Sequence, residues 1–364
     1  MIPLSHFNRS RMLFGVVILS LGTGLLGVGP GVASPQSDIA RIQAQVADLQ
    51  HVAEGATERY NEARSGLNIV QQKLGTLQRR ASRQRTELQK SSELIDALAR
   101  SAYMSASLDP SLQLLLASDP SAFLAQGAAL NQLAKSQQTI LRRWQTSTLR
   151  LRQTQAEVAQ QVAAAKRFNA AMASAKSEAD TNLGKAQAVL AKMTAAQRAR
   201  WDRIKAQARQ QALAAAATAK KQLAATVQRP GRKPGKTPLG YIGSGRAASA
   251  VRFALSQVGK SYVAAQAGPR SYDCSGLTLA AWRQAGVGLT HYSKSQYSQT
   301  RRVPVSQIRP GDLVFYFGSG AHHVGMYVGN GKMVSASNPD DGVELIAFLG
   351  PWYRERFSGV GRVI

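Results

Sequence analysis

Proline is missing from two long tracts, Asp38–Ala106 and Ser121–Val227, and that absence constrains the chain most. In the first tract, apolar residues recur three and four apart, through Ile42, Val46, Leu49, Ala53, Ala56, Tyr60, Ala63, Leu67, Val70, Leu74, Leu77 and Ala81. The seam resumes at Leu88, Ile95 and Leu98. A stripe sustained over so many turns predicts a coiled-coil helix, about 100 Å long at ~1.5 Å per residue. Gly55, Gly66 and Gly75 are expected to weaken it locally. The second tract carries a similar stripe from Leu124 to Ile204. Between them, Asp109-Pro110 and Asp119-Pro120 stop one helix and start the next. Residues 36–228 therefore read as an antiparallel coiled-coil hairpin. Its second limb is the longer, so part of it must fold back, pair elsewhere or dimerise. The hairpin is either a solvated spacer or a docking or autoinhibitory arm. The apolar tip Leu112–Leu116 favours docking.

Lysine and arginine total 46 against 20 acidic residues, a net charge of +26, so the chain should adhere to polyanions. The N-terminus selects among them. Arg9 and Arg11 precede the uncharged stretch Met12–Val28, and Val32-Ala33-Ser34 supplies small residues at a cleavage point. Residues 1–34 read as a secretory signal peptide, with an uncleaved anchor as the alternative. Outside the cytoplasm, cell-envelope polymers become the expected partners and nucleic acid is not expected. Aromatics at 6% also offer few stacking platforms for bases.

Residues 229–245 hold four basic residues among prolines and glycines, with no acid, and read as a linker. The character then changes. Within 246–364, Ala247–Val258 and Ser275–Ala285 read as helices, the second stopped by Gly286. The runs from Leu313, His323 and Lys332 read as strands, with Gly-Ser-Gly and Gly-Asn-Gly as hairpin turns. Helices followed by antiparallel strands predict an α+β domain with one core.

Cys274 is the single cysteine, which excludes a disulfide framework and a cysteine-rich zinc site. It stands directly before the second of these helices, among Asp273, Ser275 and Gly276 rather than apolar neighbours. The positive end of the helix is expected to lower its pKa toward thiolate. A nucleophilic thiolate needs a base within reach. His6 lies in the signal and His51 in the first coil helix, leaving His291, His322 and His323. By strand alternation Val324, Met326 and Val328 share one face, and His323, Gly325 and Tyr327 the other. His322 goes with the apolar stripe or lies in the turn before the strand. Gly325 beside His323 is expected to leave room for a substrate. His291, in a loop, reads as a surface or structural residue.

Three linked segments carry a resemblance. They are Tyr272-Asp-Cys-Ser-Gly-Leu, Arg309-Pro-Gly-Asp-Leu-Val-Phe-Tyr and His323-Val-Gly-Met-Tyr-Val-Gly-Asn-Gly-Lys-Met-Val. Over roughly 247–360 the chain resembles the NlpC-type cysteine endopeptidases of bacterial cell walls. The resemblance implies a papain-like α+β fold and cleavage of peptidoglycan stem peptides, typically between D-glutamate and the diamino acid. It implies Cys274 as nucleophile and His323 as general base, with Tyr262, Asp273 and Ser275 lining the substrate groove. The arm is similar to that of cell-division wall hydrolases, which implies an ABC-transporter-like membrane activator gripping the coil. The sequence departs from the family at two places. The residue twelve positions after the base, which orients its ring, is Ser335, where the family usually has His, Glu, Asn or Gln. A hydroxyl stabilises an imidazolium less than a carboxylate does, and Asn338, Asp340 or Glu344 could take over. Tyr262-Val-Ala-Ala-Gln stands where a tryptophan-glycine-glycine stretch is usual.

No metal or cofactor is required by this chemistry, and no histidine–carboxylate cluster is apparent in the sequence. The rival reading is a wall-binding or scaffold protein that keeps the fold with a weakened triad. The enzyme reading requires Cys274 and His323 to meet in a pocket open to the wall polymer.

Overall fold

The computed structural model describes residues 35–104, 120–227, 245–318 and 322–364. The signal segment, the Leu112–Leu116 tip, nearly all of the linker and most of the Gly318-Ser-Gly turn lie outside the described residues. None of the described helices is long and apolar enough to cross a membrane.

Helix α1 spans Pro35–Met104 and α2 spans Pro120–Ala191. They run antiparallel: Val46 clusters with Ala186 and Leu190, and the Trp144 Nε1–H donates to Ser92 Oγ at 3.2 Å. Val46, Ala53, Ala56, Ala63, Val70, Leu77 and Ala81 of the expected seam are buried. Gly66 is part of this packing rather than a weak point. The Phe168 ring lies 2.5 Å from where a Cβ on residue 66 would sit, so only glycine lets it in.

The second limb is not continuous. It breaks at residues 192–194 and resumes as α3, Ala195–Val227. The break is a capping box. The Thr194 N–H donates to Gln197 Oε1 and the Gln197 N–H donates to Thr194 Oγ, which satisfies two donors that a new helix leaves free. The surplus length thus folds back. Ala216, Ala219 and Leu223 of α3 enter the core of the C-terminal unit.

That unit begins with α4 (Arg246–Gln257), then β1 (Ser261–Tyr262) and β2 (Ser271–Tyr272), a short parallel pair. Helix α5 (Cys274–Gln284) and α6 (Ser293–Gln299) follow. Six strands then form one antiparallel sheet: β3 (Arg301–Val303), β4 (Leu313–Tyr316), β5 (His323–Gly329), β6 (Lys332–Asn338), β7 (Gly342–Ala347) and β8 (Phe357–Arg362). Their order is β3-β8-β4-β5-β6-β7, and the short helix α7 (Pro351–Arg354) precedes β8. One face, with Val324, Met326 and Val328, packs on α4 and α5. The other, with Tyr327 and Met333, packs under Phe348 and Tyr353. Each fully buried large apolar side chain contributes ~1.5–3 kcal/mol to this core.

Candidate active site

Asp273 starts the site. Its carboxylate caps α5, accepting from the Gly276 N–H at 2.6 Å, and this sets Cys274 at the first helical position. Strand β5 begins at His323. The Cys274 sulfur, a His323 ring nitrogen and a Glu54 carboxylate oxygen lie within 4.8 Å of one another. Behind the ring, Ser335 of β6 sits with Oγ 2.9 Å from His323 Nε2. The departure from the family pattern is thus filled by Ser335 itself. Asn338 is engaged instead with Asp341, and Asp340 accepts from Gln50.

The other nitrogen, Nδ1, faces Glu54 of α1 in a short hydrogen bond. One turn on, Glu58 reaches the domain. It accepts from Ser275 Oγ at 2.6 Å, from the Ser293 N–H at 2.5 Å and from the Cys274 thiol at 3.6 Å. Asn61 donates to Asp273 at 3.0 Å, and Arg64 to the Ala265 carbonyl at 3.1 Å. On the other side, His51 and His322 meet with their Nε2 atoms 3.0 Å apart, and His51 stacks on Phe317 at 3.9 Å. Residues 53–58 are therefore buried all round, between α2 and the domain.

Several expectations are corrected by this contact. Cys274 is 0% exposed and His323 1%, so the pair does not face an open pocket. One side of it meets the domain's own core, and a polar strip of α1 closes over the other. The thiol pKa is not lowered by the helix terminus. Burial pushes it well above its usual value, and the carboxylates of Glu58, Glu54 and Asp273 push it the same way. Burial likewise raises Glu54 and Glu58, with Asp273 adding to both and His323 opposing the shift at Glu54. A histidine–carboxylate cluster does exist, but α1 supplies the carboxylate across more than 200 residues of sequence. Gly325 leaves no substrate space. Met333 of the next strand fills it, its Sδ 2.6 Å from where a Cβ would be.

The remaining expected groove residues also lie under α1. Tyr262 is 7% exposed, and burial and then Glu54 and Cys274 raise its pKa. Ser275 is held by Glu58, and Asp273 is fully buried. His291 is structural, its Nε2 2.7 Å from the Asp273 carboxylate. His322 lies in the bend before β5, and burial first, with His51 next, lowers its pKa to about 4. His51 is lowered to about 4 by burial, with His323 next.

Sequence reading missed Glu54, Glu58, Asn61 and Ser293. Gln50, Glu54, Glu58 and Asn61 follow one another at intervals of three and four, which puts them on one helix face. Such a stripe reads as an ordinary solvated surface until a partner is seen against it.

The site thus brings a cysteine at the start of a helix together with a histidine at the start of a sheet strand and a serine hydroxyl behind it, on an α+β scaffold. Residues 259–362 match the model of the NlpC/P60 family. The probable endopeptidase p60 of Listeria monocytogenes is 43% identical over 111 residues, covering 30% of this chain and 22% of that protein. The peptidoglycan endopeptidase RipA of Mycobacterium tuberculosis is 38% identical over 130 residues, covering 32% and 26%. The chain thus spans about a quarter of the length of these curated relatives. The solved P60 domain of an antigen from M. avium subspecies paratuberculosis is 30% identical, with a TM-score of 0.29, covering 33% of this chain and 95% of that one.

Proposed function

We propose that this protein is an exported peptidoglycan endopeptidase that cuts stem-peptide amide bonds, between D-glutamate and the diamino acid, and that α1 holds it shut. The observation that carries the reading is the meeting of Cys274 and His323, with Ser335 behind the ring. His323 Nδ1 takes the thiol proton and the sulfur attacks the scissile carbonyl. Backbone N–H groups at the start of α5, that of Cys274 included, receive the oxyanion. The amine leaves with the proton from His323, and water then cleaves the thioester. Ser335 is a positioning residue that keeps Nδ1 turned toward the sulfur.

The p60 and RipA relatives, both named endopeptidases, support the reaction class. The bonds from Glu58 support the substrate class. Ser275 Oγ–H and the Ser293 N–H form a ready pair of donors for a carboxylate, which stem peptides carry on either side of the scissile bond. Autoinhibition accounts for the burial. Helix α3 joins the core through Leu223, whereas α1 touches the groove through polar side chains. A hairpin pivoting at residues 192–194 would uncover the thiol without unfolding the domain. Leu124, Leu133, Leu141 and Leu149, exposed on α2, offer a grip for an activating partner at the membrane.

The test is Cys274→Ala against wild type on purified muropeptides, read by mass spectrometry, with the hairpin cut away from both. Wild-type domain is expected to release the predicted fragments and the variant none. Equal turnover by the variant would remove Cys274 from the reaction and leave the wall-binding scaffold as the better reading.

A further inference from the structure

We propose that the closed groove is a zinc site, in which Glu54 of α1 joins Cys274 and His323 and the bound ion fastens the arm over the thiol. This rests on the reading above only in one respect: if that pair is catalytic, the ion is an inhibitor. The ligand set itself rests on geometry.

A thiol, an imidazole and a carboxylate, all buried, present ligand atoms within 4.8 Å of one another. Tetrahedral zinc bound at ~2.3 Å to sulfur and ~2.0–2.1 Å to nitrogen or oxygen spaces its ligands about 3.5 Å apart. The cluster needs only small side-chain shifts to meet that. Two of these ligands come from the domain and one from α1, so the set is complete only when the arm is down.

The outer contacts suit a metal as well. Ser335 on His323 Nε2 leaves Nδ1 directed at the cluster, the second contact that fixes a metal-bound imidazole. Three buried carboxylates, from Glu54, Glu58 and Asp273, and a thiol are held among the described residues by hydrogen bonds from two imidazoles, His323 to Glu54 and His291 to Asp273. A divalent cation offsets their charge and holds the sulfur as thiolate. A way in exists. A cavity of about 180 Å³, whose lining includes Asp341 and Glu344, reaches Glu54 from the side. Magnesium and calcium want six or more oxygens and do not fit a sulfur–nitrogen pair, whereas zinc does.

Metal-free full-length chain is dialysed against zinc, and separately titrated with cobalt(II) as a spectroscopic stand-in. The expected result is one ion per chain and a thiolate-to-cobalt charge-transfer band that Cys274→Ser abolishes. Glu54→Gln, nearly isosteric, is expected to weaken binding at least about tenfold, and zinc is expected to slow iodoacetamide alkylation of Cys274 in wild type but not in Glu54→Gln. Magnesium at the same concentration is expected to change nothing. Absence of stoichiometric zinc would overturn the proposal. So would equal affinity in Glu54→Gln, because the two domain ligands would then hold the ion without the arm. Muropeptide cleavage by the metal-free Glu54→Gln chain is measured in parallel. A rise there upholds the inhibitory arm even if zinc does not bind, so the two ideas fail separately.

Discussion

Glu58→Ala should open the groove, and the size of the effect can be worked from its contacts. The carboxylate takes two strong hydrogen bonds across the interface, from Ser275 Oγ at 2.6 Å and from the Ser293 N–H at 2.5 Å. Bonds to a charged group contribute ~1.5–3 kcal/mol each, and a buried donor left unpaired costs ~1–3 kcal/mol. Ser293 is fully buried, so its N–H would be stranded whenever the arm closed. Against this stands the cost of burying the carboxylate, visible in its raised pKa, with burial the main cause and Asp273 the next. The balance is about 2–3 kcal/mol lost by the closed form. At ~1.4 kcal/mol per tenfold, the open population should rise roughly 30- to 140-fold. Iodoacetamide alkylation of Cys274 reads that population directly while opening is fast relative to the chemistry. It should be run above ~8.5, the ordinary thiol pKa, so that ionisation in the open form does not differ between variants. Arg64→Ala removes one exposed contact to the Ala265 carbonyl and should change the rate only a few-fold. An unchanged alkylation rate in Glu58→Ala, with helicity intact by circular dichroism, would refute the closed arm in solution.

Ser335→Ala in the arm-free domain should lower kcat about tenfold with KM unchanged, the loss of one hydrogen bond that orients His323. A change in KM alone would mean that Ser335 acts on substrate instead. Glu344 has its pKa raised to about 7 by burial, with Asp341 next. Its folded-state pKa lies above the unfolded one, so its contribution to stability is complete below about 4.5 and is lost as pH rises through about 7. Urea midpoints of wild type should fall across that window relative to Glu344→Gln, and parallel curves would contradict the assigned shift.

Local physics made much of the molecule legible from its sequence. Absence of proline and a three-four apolar stripe depend only on neighbouring residues, so α1 and the hairpin could be foreseen. Strands β4, β5 and β6 were visible for the same reason. Strand β8 was not, because Gly359 and Gly361 dilute its alternation and it is held by pairing with β4, far away in sequence. The break at Thr194 had a readable signal, a threonine followed three residues on by glutamine, which the alanine-rich surroundings masked.

That Cys274, His323 and Ser335 would stand together was legible, because a motif ties chemistry to spacing along the chain, and the fold does bring them together. Their state was not. Whether the sulfur meets water or a carboxylate depends on which surface lies over it, and that surface comes from residues 50–64. Sequence alone determined that a long helix and a thiol-bearing domain exist. Only the tertiary structure decided that one lies across the other, because desolvation and charge act through space, and here they act between residues more than 200 positions apart.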